Sequence, residues 1–151
     1  RYGGSADDQR LQALFLGYPS MVRGYTPGSY SVSECGEEIR QSGACRAFDQ
    51  LLGSRIGVAN AEARLQLFGP LGLISRNFLP VEIAPFYDVG LAWTSAQQAE
   101  LLDRVRTPVS SYGLTMRANL LGFAVFQLSY VNPRERPQQG WMWEFGLIAG
   151  F

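Results

Sequence analysis

The stretch Ile56-Gly57-Val58-Ala59-Asn60-Ala61-Glu62-Ala63-Arg64-Leu65-Gln66-Leu67-Phe68 alternates along its length. Asn60, Glu62, Arg64 and Gln66 share one parity, and Gly57, Ala59, Ala61, Ala63, Leu65 and Leu67 share the other. A two-residue period sends successive side chains to opposite faces of a strand, so this segment reads as a strand with one charged and one apolar face. Val81 to Trp93 repeats the pattern: Val81, Ile83, Pro85, Tyr87, Val89, Leu91 and Trp93 oppose Glu82, Ala84, Phe86, Asp88, Gly90 and Ala92. Pro85 lacks a ladder donor and predicts a bulge or local kink. Further strands are expected over Ser111–Leu120, Phe123–Val131 and Trp141–Phe151, with a weaker first strand over Arg10–Leu16.

Composition narrows the classes. The 151 residues carry 13 basic and 13 acidic side chains, so no net field argues for a nucleic-acid partner. Every basic residue is arginine, and histidine is absent. That excludes a Ser-His-Asp triad, a Cys-His pair and any imidazole-ligated metal. Two cysteines alone do not complete a four-ligand zinc site. No cofactor or metal is expected, and no hydrolase chemistry is legible. The chain does not open on a signal peptide. No stretch reaches the roughly 18 apolar residues of a spanning helix. Near-zero mean hydropathy is still compatible with a transmembrane β-barrel, whose strands alternate polar and apolar residues.

The connections alternate in length: long from Gly17 to about Arg55, shorter from Gly69 to Leu79, and long again from Ser95 to Ser110, where Gln97–Val105 suits a helical turn. Leu121-Gly122 is a tight turn, and Asn132–Gln139 is intermediate and charged. Outer-membrane barrels combine short periplasmic turns with longer outside loops in this way. With Phe151 at the periplasmic end, Trp93, Tyr112, Tyr130, Trp141 and Trp143 gather at the outer rim, and Phe68, Phe78, Phe123 and Phe151 at the inner one. Aromatic belts at both interfaces are expected of a membrane barrel. The competing reading is a soluble secreted β-sandwich binder, whose strands alternate as well.

Val22-Arg23-Gly24-Tyr25, flanked by Leu16-Gly17-Tyr18-Pro19, resembles the Val-Arg-Gly-Phe/Tyr loop signature of the BamA/TamA-type outer-membrane superfamily, the bacterial surface antigens. Asn60-Ala61-Glu62-Ala63-Arg64 resembles that family's next strand, and Pro85-Phe86-Tyr87-Asp88-Val89-Gly90-Leu91-Ala92-Trp93 its aromatic-Asp-x-Gly strand. The end of the chain is similar to the C-terminal assembly signal of such barrels, with Glu144, Gly146, Ala149 and Phe151 in the signal positions. The wording around Phe15–Pro19 and Phe48–Arg55 also resembles barrels fused behind a periplasmic TolB-like propeller. The resemblance implies an all-β fold: an antiparallel transmembrane β-barrel segment of about six strands, part of a larger barrel, with the long loop 17–55 folded into the lumen. Six strands are too few to close, since known bacterial barrels start at eight. The chain thus reads as the C-terminal portion of a barrel domain, completed by further strands or further chains.

The resemblance also implies function: a bacterial outer-membrane barrel that inserts or translocates polypeptide through a lateral seam, beside lipid and lipopolysaccharide, and working with the barrel assembly machinery. The alternative is a structural barrel that anchors a propeller. In the lumen an arginine needs carboxylate partners, and a guanidinium suits bidentate pairing. Glu62 lies seven residues before Gly69 and Asp88 eight after Pro80, on the polar parity of consecutive strands. At about 3.3 Å per residue both sit at similar heights above the same rim, so the geometry permits Arg23 to bridge them. The resemblance implies the same partners. Gly24 would allow a tight turn at the wall, and Tyr25 would offer its hydroxyl to the lumen. Cys35 and Cys45 fit a disulfide in an oxidising compartment. Glu34, Glu37 and Glu38 admit a divalent-cation reading, set against a solvated loop.

Overall fold

A computed structural model describes residues 12–31, 34–36, 40, 45–67, 81–94, 106–120 and 123–149. Its elements are β1 (Leu14–Phe15), a 3-10 turn (Pro27–Ser29), α1 (Arg46–Asp49), β2 (Leu52–Gly53), β3 (Arg55–Glu62), β4 (Leu65–Gln66), β5 (Val81–Trp93), β6 (Val109–Leu120), β7 (Ala124–Pro133) and β8 (Met142–Ala149). Strands β3 to β8 form one antiparallel six-stranded sheet. Each long strand pairs with the next long strand in the chain, as sequential strands usually do. No helix among the described residues is long and apolar enough to cross a membrane.

Two expectations need correction. The strand expected over Arg10–Leu16 does not join the sheet: its described part is β1, which pairs with β2 in a separate two-stranded ladder. The reason is packing, because Leu16 is fully buried in the cluster beneath the loop with Val22, Tyr25, Leu51, Ala92 and Val109. Pro85 does not produce a bulge. The pairs Glu62↔Phe86 and Leu65↔Ile83 lie in one continuous register. The Ala63 N–H donates to the Pro85 carbonyl at 3.1 Å, and the proline ring has no N–H to return the bond. The ladder is broken there into β3 and β4, which lie end to end along β5. The sixth strand, β4, is therefore the far end of the strand expected over Ile56–Phe68.

Among the described residues the sheet is open, with β3 at one edge and β8 at the other. Its two faces differ in the direction the alternation requires. The even positions of β5 and the odd positions of β6 and β7 bury Asp88, Ser111, Thr115 and Ser129 beneath the loop. The opposite face is apolar and bare: Leu65, Tyr87, Leu114, Trp143, Phe145 and Leu147 are all exposed, Phe145 to 65%. Tyr130 stacks on Trp141 with centroids 4.6 Å apart and meets Trp143 at 4.6 Å, while Tyr112 meets Trp141 edge-on at 5.5 Å. This aromatic group sits at the β7–β8 connection, and Phe123, 82% exposed, sits at the other end of β7. The helical turn expected at Gln97–Val105, the turn Leu121-Gly122, and Phe68, Phe78 and Phe151 lie outside the described residues.

Candidate functional site: a loop seated on the polar face

Residues 16–31 cross the polar face of the sheet. The seat is cleared by glycine: a Cβ at Gly90 would stand 2.7 Å from Val22 and 2.8 Å from Leu16. Gly24 holds φ +88°, a left-handed conformation that side chains with a Cβ rarely adopt. That turn aims its two neighbours into the sheet.

Arg23 is 5% exposed and Asp88 fully buried. The guanidinium grips Asp88 with two parallel bonds, Nε to Oδ2 at 2.7 Å and Nη2 to Oδ1 at 2.9 Å. Its Nη1 donates to Glu62 Oε2 and to Thr115 Oγ1, both at 3.1 Å. The Arg23 backbone N–H adds a longer bond to Asp88 at 3.3 Å. Phe86 lies under the guanidinium plane, 3.5 Å from the arginine carbon to the ring centroid. The structure thus brings together Arg23, Glu62 and Asp88, three residues far apart in sequence.

The carboxylates have other donors. Asn60 gives its amide to Asp88 Oδ1 at 2.8 Å and to the Met21 carbonyl at 2.7 Å, so it holds both sheet and loop. Arg117 forks onto Glu62 at 2.6 and 2.8 Å and reaches Glu82 at 3.2 Å. Arg64 adds a bond to Glu62 at 2.8 Å from a largely exposed side chain. Thr115 and Ser129 continue the network across β6 and β7 at 2.9 Å. Both carboxylates have their oxygens occupied by arginine and amide donors, which leaves them poorly placed for general acid–base work.

A second set of contacts comes from residues that sequence reasoning did not single out. The Tyr25 hydroxyl lies 2.5 Å from Glu135 Oε2 and 2.8 Å from the Ser110 carbonyl. Burial first, and then Glu135, push the Tyr25 pKa well up, so the phenol stays a protonated donor. Glu135 also accepts from the Ser110 N–H at 2.6 Å. Arg136 is buried and uses all five of its donors. It forks onto Glu34 at 2.8 Å twice, bonds the Gly24 carbonyl at 2.7 Å, and bonds the Ser29 hydroxyl and carbonyl at 2.8 Å each. Tyr30 stacks 3.9 Å from its guanidinium. Glu135 and Arg136 lie in a connection without periodicity, between Pro133 and Pro137, and their charge was the signal available.

Cys35 and Cys45 form a disulfide with Cα atoms 5.1 Å apart. Glu144 faces the loop and accepts the Thr26 hydroxyl at 3.2 Å. Gly146 of β8 pairs with Gln127 of β7. Ala149 ends β8, opposite Ala124. Phe151, the last residue of the expected C-terminal signal, lies outside the described residues, as do Glu37 and Glu38. Among the described residues there is no cluster of metal-ligating side chains. Comparisons with protein-family models, curated proteins and solved structures find no match for this chain.

Proposed function

We propose that this sheet is the C-terminal part of an outer-membrane β-barrel of the BamA/TamA type, a barrel that inserts or translocates polypeptide. The observation that carries the reading is the sheet's polarity. Its bare face is apolar and aromatic, while its covered face holds an arginine with two carboxylates. A water-soluble sheet does the reverse, burying its apolar face. A barrel wall faces hydrocarbon with one parity and a polar lumen with the other. The resemblance at Val22-Arg23-Gly24-Tyr25 supplies the type, and the position of Arg23 against Glu62 and Asp88 supports it.

The open edges fit the same account. In a bilayer every backbone donor and acceptor needs an internal partner, so β3 and β8 require further strands beside them. Those strands complete the cylinder, and the side of β8 becomes one lip of its seam. Lipid and lipopolysaccharide surround the aromatic face, and the polypeptide substrate meets the seam.

The test is made on the full gene product in Gram-negative cells. The expected result is retention in the outer-membrane fraction after alkaline extraction, together with reduced levels of other outer-membrane barrels when the protein is depleted. Release into the soluble fraction would overturn the membrane reading. Retention without any loss of other barrels would overturn the assembly role and leave a structural barrel.

A further inference from the structure

We propose that the Cys35–Cys45 disulfide is the reducible element of a latch that closes the tip of the loop onto the β7–β8 connection through Glu34 and Arg136. The inference does not depend on what the bare face of the sheet meets. It starts from the loop being held at two separate places. Arg23 holds it to the wall through Asp88 and Glu62. Arg136 holds its tip through Glu34 and Ser29, and shares no partner side chain with Arg23.

The second hold depends on where Glu34 is placed. Both of its oxygens are needed for the fork, so a small displacement loses two charge-assisted bonds together. Glu34 is followed directly by Cys35, which is bonded to Cys45. Cys45 in turn starts the turn into α1, its carbonyl accepting the N–H groups of Phe48 and Asp49. Phe48 packs against Tyr30 and Phe15 with centroids 5.5 Å away from each. The covalent bridge therefore fixes the Glu34 backbone to a packed element, and Arg136 reads that position.

Cys35 is buried and Cys45 half-buried, which makes Cys45 the more exposed residue of the bridge and its sulfur the point of attack. A dithiol thiolate attacks it, and the Cys35 sulfur leaves as a thiolate and takes up a proton. The second dithiol sulfur then displaces Cys45, closing a cyclic disulfide. The dithiol supplies both electrons, and the protein gains two thiols. The bridge no longer limits the segment around Glu34, and the fork to Arg136 opens while Arg23 stays seated.

Hydrogen–deuterium exchange on the purified protein, with and without dithiothreitol, tests this. Reduction is expected to speed exchange at Gly28 to Ser31 by about tenfold or more, the scale of losing hydrogen bonds to a charged group. Val22, Arg23 and the amides of β5 and β6 are expected to stay protected. In Glu34→Gln the tip is expected to exchange fast already, with little further response to reductant. Unchanged tip exchange on reduction would overturn the latch, and so would an equal response in Glu34→Gln. Loss of protection throughout the sheet would also overturn it, because the bridge would then be holding the fold. Should Glu34→Gln fail to assemble, the Cys35→Ser/Cys45→Ser protein decides: a fast tip over a protected sheet supports the latch, and a slow tip refutes it.

Discussion

Arg23 and Arg136 do similar chemistry under different rules of legibility. Arg23 has partners on strands, where parity fixes the face of Glu62 and Asp88 before any coordinates are known, although the register sets them two residues apart along the ladder, Asp88 opposite Asn60 and Glu62 opposite Phe86. Replacing it with alanine leaves Asp88 buried with its main cation gone. The expected loss is about 3–5 kcal/mol of stability, read as a lower urea midpoint and lost heat-modifiable gel mobility. Arg23→Lys is expected to recover only part of it, because an ammonium is a point charge and cannot make the fork. An Arg23→Ala protein that keeps its midpoint would refute the clamp. Arg136 was not legible, because its connection has no repeat that fixes where a side chain points. Its partner Glu34 gives a second check. The hydrogen bonds from Arg136 hold the Glu34 carboxyl below its ordinary value of 4.5. A depressed carboxylate contributes stability above its unfolded pKa, and that contribution fades as pH falls through the folded value. The groups facing it are Arg136 and Tyr30, whose pKa burial pushes up and which stays neutral. An NMR titration is therefore expected to place the Glu34 midpoint below 4.5, and to bring it up to that value or above in Arg136→Met.

At the scale of elements, the alternation located five of the six expected strands, and the errors came from contacts that a local pattern does not carry. Arg10–Leu16 has apolar residues in plausible places, but Leu16 serves the cluster under the loop, and that demand is visible only once Val22 and Gly90 are seen beside it. Pro85 on its own predicts a bulge or local kink, whereas the ladder omits one bond there and keeps register. Pro85→Val is expected to restore that donor. A protected amide should appear at position 85 with the register unchanged. The stability change should be small, since a new hydrogen bond of about 1 kcal/mol is offset by the greater freedom of the unfolded chain. A shifted register in that variant would show that the proline itself sets the pairing. Gly90 tests the seat of the loop. A methyl group there meets Leu16 and Val22 closer than real Cβ atoms approach their neighbours. Gly90→Ala is expected to cost about 1–3 kcal/mol by overpacking, with exchange rising at Val22 before it rises in β6. Equal protection at Val22 in both proteins would mean that the loop has room to spare.

For the whole molecule the deciding quantity is what the bare face meets. Leu114 lies in the middle of β6 on that face, 45% exposed, with Met116 and Tyr112 beside it along the strand. In water, an arginine at a half-exposed strand position is close to neutral, because its head stays solvated and its stem covers the neighbouring apolar surface. In a bilayer the same arginine sits near the midplane and is expected to cost about 2–4 kcal/mol. The two environments thus predict different outcomes for one substitution. Leu114→Arg in phospholipid vesicles is expected to lower the urea midpoint by that amount, while Leu114→Ala lowers it less. Tryptophan emission should agree, with brominated lipid tails quenching Trp143, which stands 64% exposed on the same face. A neutral Leu114→Arg with unquenched tryptophan would mean that the aromatic face is covered by protein, and the polarity of the sheet would then need a partner of that shape in place of a membrane.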